Sequence, residues 1–297
     1  MSRTSFDIPH GTGFVEVADR CWLARYDFLD VNVGVVAGDR GLLLVDSHAS
    51  EADARRVVEH VRRLGSGDVV AVVNTHEHFD HVLGNAVLAE EYAGADLVAH
   101  ETAAERMPEA VERVKRLYAE DLDDPHAAEV LASRLLVPHT TFSSARVIDL
   151  GDRIVEVMHP GRGHTAGDAV VRVGEADVVY AGDLVEESAE RNGVPGFGDD
   201  CYPLEWPATL DLVTNLLTGS TVVVPGHGLP VGRDFVMEQR GSIGMVAETI
   251  RQLAGQGLRP EDMASAAQWP YPIEELTQAF VRGFEQLPRS SRSLPLL

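Results

Sequence analysis

Three histidines and an aspartate fall within six positions of "VVNTHEHFDHVLGN", residues 72 to 85, directly after a run of β-branched residues. His76, His78 and Asp80 alternate, so on a chain leaving a strand still extended they point to one side, while His81 points elsewhere. That geometry suits two adjacent metal ions, one gripped by His76 and His78, the other by Asp80 and His81. Neutral imidazole and carboxylate are ligands that zinc accepts in catalytic sites, and neither oxidises as a thiolate does. Taken singly, each residue has an ordinary structural use. A histidine can satisfy a buried hydrogen bond, and Asp80 can cap the helix that follows. Four together point to metal.

Four residues cannot complete two coordination shells, and the chain offers three more candidates. His164 lies in the glycine-rich "GRGHTAGD", Asp183 ends the strand "VVYAGD", and His227 follows the strand "VVVPG". Each sits where a strand gives way to a loop, at a sheet edge where rigid elements can aim side chains from distant sequence at one point.

The elements that must do this aiming are readable from periodicity. "FVEV", "CWLARY", "NVGVVAG" and "GLLLVD" are short strands, with "GDRG" a hairpin turn between the last two. "EADARRVVEHVRRL" has apolar residues at helical spacing and stops at "GSGD". "VVAVVN" returns as a buried strand. Beyond the histidine cluster come helix "GNAVLAEEY", strand "ADLVAH" and the solvated helix "ETAAERMPEAVERVKRLYAEDL". A second block runs through strands "ARVIDLGD", "RIVEVMH", "DAVVRVG" and "DVVYAGD", helix "PATLDLVTNLLT" and strand "TVVVPG". Strands followed by a helix thus occur twice, which predicts two similar halves rather than a doubly wound parallel sheet. From about Phe235 to Gln286 the pattern is helical with a break at "WPYP", and "PRSSRSLPLL" is expected to be a loose end.

In the order HxHxDH, His, Asp, His, these residues resemble the metallo-β-lactamase superfamily over approximately residues 14 to 232. The resemblance implies an α/β (α+β) fold, a four-layer αββα sandwich with a dinuclear site along the edge between its two sheets. The catalytic domain would span residues 1–234 and a helical extension 235–297. His76, His78 and His164 would hold the first zinc, Asp80, His81 and His227 the second, and Asp183 would bridge them. A water held between two zinc ions has its pKa drawn from about 15.7 toward neutrality, which supplies a hydroxide nucleophile. Asp80 is the catalytic candidate, orienting that hydroxide and passing a proton. Asp46, at the end of "LLLVD", is read as a buttress of the ligand loop, Gly84 and Asn85 as the start of a helix, and His48, His100, His139 and His159 as structural.

Composition narrows the chemistry. The chain has 297 residues, 44% of them hydrophobic, which is enough to bury a sizeable core. Its formal net charge of -22 repels phosphate backbones and anionic lipid, so no nucleic-acid or membrane partner is expected. Cys21 and Cys201 are too few for a disulfide framework and are read as buried thiols. The first twenty residues lack the apolar core of an export signal, which predicts a cytoplasmic protein; the oligomeric state is not readable. Export-type β-lactamases resembling this fold usually carry Cys or Ser where Asp183 stands. The expectation is therefore a hydrolase acting on an activated carbonyl of a small molecule, a thioester or lactone, similar to the glyoxalase II and lactonase branches. The basic, aromatic glutathione-binding segment of the former is not found after Asp183. The acidic loop that follows offers Phe197, Tyr202 and Trp206 as a pocket wall, although Tyr202 and Trp206 equally suit the packing of the next helix. Arg162 and Arg191 are candidates to grip a substrate carboxylate. The rival readings are a mononuclear iron (Fe2+) persulfide dioxygenase using His76, His164 and Asp183, a β-lactam hydrolase, and a non-catalytic binding protein with a structural metal.

Overall fold

The computed structural model of the chain describes residues 6–189 and 192–291. Its first sheet runs in spatial order β1 (Val15–Ala18), β2 (Cys21–Arg25), β3 (Asn32–Gly38), β4 (Gly41–Val45), β5 (Val69–Val73), β6 (Asp96–His100) and β7 (Thr140–Phe142). The first four strands pair antiparallel and the rest parallel. Parallel pairing requires crossovers, which helices provide. Helix α1 (Glu51–Leu64) joins β4 to β5, α2 (Phe79–Val82) and α3 (Asn85–Glu91) join β5 to β6, and α4 (Glu101–Glu120) and α5 (Ala127–Ala132) join β6 to β7. A second sheet has the order β12-β11-β10-β9-β8, from β8 (Ala145–Asp149), β9 (Ile154–Met158), β10 (Val170–Val173), β11 (Val178–Glu186) and, beyond α6 (Trp206–Thr214), β12 (Val222–His227). Helices α7 (Arg233–Gly255), α8 (Pro260–Ala266) and α9 (Thr277–Gln286) follow.

The layers follow from which faces are apolar. Leu23, Val36 and Leu43 of the first sheet share a buried core with Val157, Val171 and Tyr180 of the second. The Tyr180 hydroxyl donates to the carbonyls of Trp22 and Val35, at 3.0 and 3.1 Å, tying one sheet to the other. On the outer face of the first sheet, Leu42, Leu44 and Val72 meet Val57 and Val61 of α1. On the outer face of the second, Val179, Leu184 and Val223 meet Trp206 and Leu210 of α6 and Ile243 and Val246 of α7. Helix, sheet, sheet, helix is the four-layer sandwich expected. Strand β4 is buried at every position because both of its faces are covered, so it reads as an unbroken apolar run rather than an alternation. The exposed edge strand β8 alternates instead and carries Arg146 and Asp149, which discourages pairing with another chain.

Helix α1 shows how local sequence sets an element. The Ser50 hydroxyl accepts from the backbone of Asp53 at 3.0 Å, acidic residues occupy the first turn and Arg62 and Arg63 the last, and Gly65 terminates it in the left-handed region at φ 66°. Burying Val57 and Val61 contributes about 1.5–3 kcal/mol each. Two short elements, α5 and β7, are not legible from periodicity because neither is long enough to show a period. The "WPYP" break separates α8 from α9. Leu276, Ala279 and Phe280 there join the same core cluster as β11. Of the "PRSSRSLPLL" end, residues 292–297 lie outside the described residues. Among the described residues no helix is long and apolar enough to cross a membrane.

Both cysteines are free and fully buried, and burial pushes the Cys21 thiol up to about 12 and that of Cys201 higher still. Since the thiolate is the reactive form, neither is expected to react with a thiol reagent at pH 8 until denaturant is added, when both should. Stoichiometric labelling of the native protein would contradict this burial.

Candidate metal centre

The centre forms at the carboxyl ends of β4, β5, β11 and β12, which the parallel pairings bring to one edge. Strand β5 ends at Val73 and the chain stays irregular through His78 before α2 begins at Phe79. Helix α2 then turns Asp80 and His81 inward. The histidine loop thereby presents His76 and His78 to a first group with His164, and Asp80 and His81 to a second with His227. Asp183 ends between them. Its Oδ2 lies 3.4 Å from His164 Nε2 and 3.1 Å from His227 Nε2, and its Oδ1 lies 3.2 Å from His81 Nε2. The seven residues named from sequence are therefore gathered at one point. Asp80 Oδ2 is 3.6 Å from His81 Nε2 and 3.4 Å from His227 Nε2.

The outward nitrogen of each imidazole is engaged. His164 Nδ1 donates to the Gly196 carbonyl at 2.9 Å and His227 Nδ1 to the Leu29 carbonyl at 2.7 Å. His81 Nδ1 meets Asp46 at 2.9 Å, and His78 Nε2 meets Asp200 at 3.0 Å. His76 Nδ1 lies 3.0 Å from the Thr75 hydroxyl, which itself donates to Asp46 at 2.8 Å. In the neutral imidazoles these partners fix the tautomers and leave the inward nitrogens as lone pairs. His164 Nε2 then faces His78 Nδ1 at 2.9 Å, and His81 Nε2 faces His227 Nε2 at 3.3 Å. Lone pairs so opposed repel unless a cation lies between them. His76 Nε2 and Asp183 Oδ1, both buried, have no hydrogen-bond partner among the described residues. The donor set, three imidazoles in one group and two imidazoles with carboxylates in the other, is one that zinc takes.

Electrostatics point the same way. Burial opposes charge on His78 and His227, yet Asp200 holds the first up at about 9, and Asp183 and Glu186 do the same for the second, also at about 9. Burial likewise opposes the ionised Asp183, but the surrounding imidazoles pull it well below the ordinary carboxylate range. His76 is the exception, lowered by burial and by its His81 neighbour. The centre favours positive charge, which protons and metal ions compete to supply.

Asp46 lies under the ligand loop, accepting from the Thr75 amide at 2.8 Å as well as from the Thr75 hydroxyl and His81. It and His48 hold positive φ, 66° and 78°, strained for residues with a Cβ and costing of the order of 1–3 kcal/mol each. Asn85 does more than start a helix. It exchanges amide hydrogen bonds with Asn74 at 2.7 and 3.1 Å, and Asn74 in turn donates to the His81 carbonyl at 3.0 Å. Gly84 is not merely a helix start either, because a Cβ there would come within 1.9 Å of the Ser47 carbonyl. His48 is buried against Tyr26, with ring centroids 4.5 Å apart, and burial lowers it to about 4. Sequence reasoning missed Asp200, which is 122 positions from His78, and Glu186, which comes within ligand range of Asp183 and His227. Glu186 closes β11 and Asp200 lies in the acidic loop beyond it, where neither stands out from its acidic neighbours.

A cavity of about 700 Å³ opens onto Asp80, His78, His164 and Asp183, between α4 and the loop 194–200. Phe197 lines it. Arg162, Tyr202 and Trp206, expected in the wall, do not. The Arg162 guanidinium is held by both oxygens of Glu205, at 3.0 and 2.6 Å, and lies over the Tyr202 ring at 4.5 Å. Trp206 is wholly buried, its indole nitrogen donating to the Leu184 carbonyl at 3.2 Å. Trp206 packs α6 against the second sheet, the apolar alternative winning there because it starts a helix whose inner face covers that sheet. Arg191 lies outside the described residues.

A family model described as the metallo-beta-lactamase superfamily matches residues 26–231. Among curated proteins, the chain is similar to a metallo-beta-lactamase type 2 of Bacillus cereus, 28% identical over 194 residues, 65% of each chain. It is also similar to a linear primary-alkylsulfatase of Pseudomonas sp. (strain ATCC 19151), 23% identical over 264 residues, 80% of this chain and 49% of that one. The chain thus spans less than two thirds of the length of these relatives. Among solved structures, a double mutant of the sec-alkyl sulfatase PisA1 superposes with a TM-score of 0.75 at 16% identity, covering 92% of this chain and 50% of that one. The metallo-beta-lactamase FIM-1 from Pseudomonas aeruginosa, in a mono-zinc form, gives 0.59 at 18%, covering 79% and 95%.

Proposed function

The chain belongs to the metallo-β-lactamase superfamily, and on that premise we propose that it is a zinc-dependent hydrolase with two ions per chain, acting on a small molecule with an activated carbonyl such as a thioester or lactone. The observation that carries this reading is the pair of opposed imidazole contacts, His164 with His78 and His81 with His227, with Asp183 between them at the floor of the cavity. His76, His78 and His164 would hold one ion, Asp80, His81 and His227 the other, and Asp183 both. Bound zinc would supply a water nucleophile at neutral pH and polarise the substrate oxygen. Asp46 and Asp200 keep His81 and His78 in the tautomers that ligation needs. Asp80, lining the cavity, is positioned to hold a proton near the reacting atoms. Asn74 and Asn85 keep the loop from shifting. The strongly acidic composition supports a small-molecule rather than a nucleic-acid or membrane partner.

The test is a metal analysis of the purified chain followed by a substrate screen. Two zinc ions per chain are expected, with hydrolysis of at least one thioester or lactone that a chelator abolishes and zinc restores. β-Lactams and alkyl sulfates belong in the screen because relatives are named for them. Turnover confined to either of those would replace the carbonyl substrate proposed here, and metal-loaded protein inert to all four would remove the hydrolase reading.

A further inference from the structure

The lining of the cavity distinguishes what can enter it. Its lining includes the apolar side chains of Leu29, Phe79, Leu117, Tyr118 and Phe197. The rings of Phe79 and Tyr118 meet edge to face, their centroids 5.8 Å apart, so the edge of one covers the face of the other and the pair forms a packed apolar wall. Farther out the lining turns acidic. Asp121 follows α4, and Glu275 comes from the turn Ile273–Leu276 of the C-terminal segment; both are exposed and have no ion pair among the described residues. Arg113 is the one Lys or Arg among the described lining residues, and it is already neutralised, lying 2.9 Å from Asp200 and 3.3 Å from Asp199. At the floor, Asp183 is 4% exposed, lines the cavity and keeps Oδ1 without a hydrogen-bond partner among the described residues, so the cavity leads to groups built to meet a ligand.

We infer that this cavity selects substrates whose apolar body ends in a positively charged amine or quaternary ammonium group, and that the C-terminal segment takes part in the selection through Glu275. This deepens the hydrolase reading and rests on it for the word substrate. The apolar wall takes the body of such a substrate, and the carboxylates at the rim attract its cationic end with no free guanidinium to oppose them. A terminal carboxylate or sulfonate meets repulsion at the same place.

Binding separates this inference from the catalytic reading. With zinc-loaded full-length protein at low ionic strength, calorimetry would compare hexyltrimethylammonium with its neutral isostere, in which carbon replaces the charged nitrogen. The ammonium compound is expected to bind about tenfold more tightly. In Asp121→Asn/Glu275→Gln, two exposed positions whose exchange leaves the core untouched, that ratio should fall to about twofold, and added salt should lower it in the wild type. Equal affinity for the two compounds, or a ratio that the double variant does not change, overturns the inference. An ammonium preference that persists in a protein with no hydrolytic activity retains the binding site and removes the hydrolase, so the two failures are distinguishable.

Discussion

In His227→Ala, bound zinc is expected to fall from two ions toward one per chain, and hydrolysis by about two to four orders of magnitude. His227 Nε2 lies 3.1 Å from Asp183, 3.4 Å from Asp80 and 3.3 Å from His81 Nε2, so its removal leaves the second group with one imidazole. His76, His78 and His164 still form the first group. On the two-ion reading, one of the two charges that would acidify a bound water is thereby lost. Removing the ring also breaks its hydrogen bond to the Leu29 carbonyl, which ties β12 to the turn before β3, so circular dichroism must confirm the fold. Partial recovery with added imidazole would separate lost ligation from lost packing. The mononuclear iron reading makes the opposite prediction, because His227 is not among its three ligands. A single iron in the wild type, still present and still supporting oxygen-dependent turnover in His227→Ala, would replace the hydrolase with a dioxygenase.

Gly226→Ala is expected to lower both metal affinity and activity by about a hundredfold or more while adding only a methyl group. A Cβ at this position would lie 1.8 Å from Asp183 Oδ1, the oxygen that faces His81. The backbone there cannot retreat easily, since Pro225 pairs with Gly182 across the β11–β12 ladder and His227 follows directly. The Asp183 carboxylate must therefore swing out of the centre, away from both groups of ligands. Overpacking of this kind costs about 1–3 kcal/mol of stability, so the melting temperature should fall by several degrees without loss of the folded state. Zinc titration read alongside turnover checks the idea. Wild-type stoichiometry and rate in a folded Gly226→Ala protein would show that Asp183 is not needed where it stands.

Much of the centre is legible in the sequence because its ligands obey local rules. His76, His78, Asp80 and His81 are nearly contiguous, Asp183 and His227 lie in the last residues of strands that β-branched runs announce, and His164 lies in the loop that follows another. The layers are legible for the same reason, as long strands and α1 carry clear periods and caps. What fails is whatever depends on the path of irregular chain. Arg162 looks free to grip a substrate because Glu205, its partner, is 43 positions away. Trp206 reads equally as pocket wall or packing residue, and only the course of α6 over the second sheet presses it into the core.

The sequence by itself determined the identity of the metal-grade residues, the strands that carry them and the family to which they belong, because ligand type and strand period are properties of neighbouring residues. Only the tertiary structure decided which groups support them and which residues line the cavity. Asp200 reaches His78 across 122 positions, Arg113 is neutralised by a loop 86 positions beyond it, Gly226 is small because a carboxylate from another strand fills its Cβ position, and Glu275 comes to the rim from the C-terminal segment. Each of these contacts is fixed by how loops and helices cross over the sheets, and hydrophobic periodicity, which records only the burial of each residue's own element, contains no term for it.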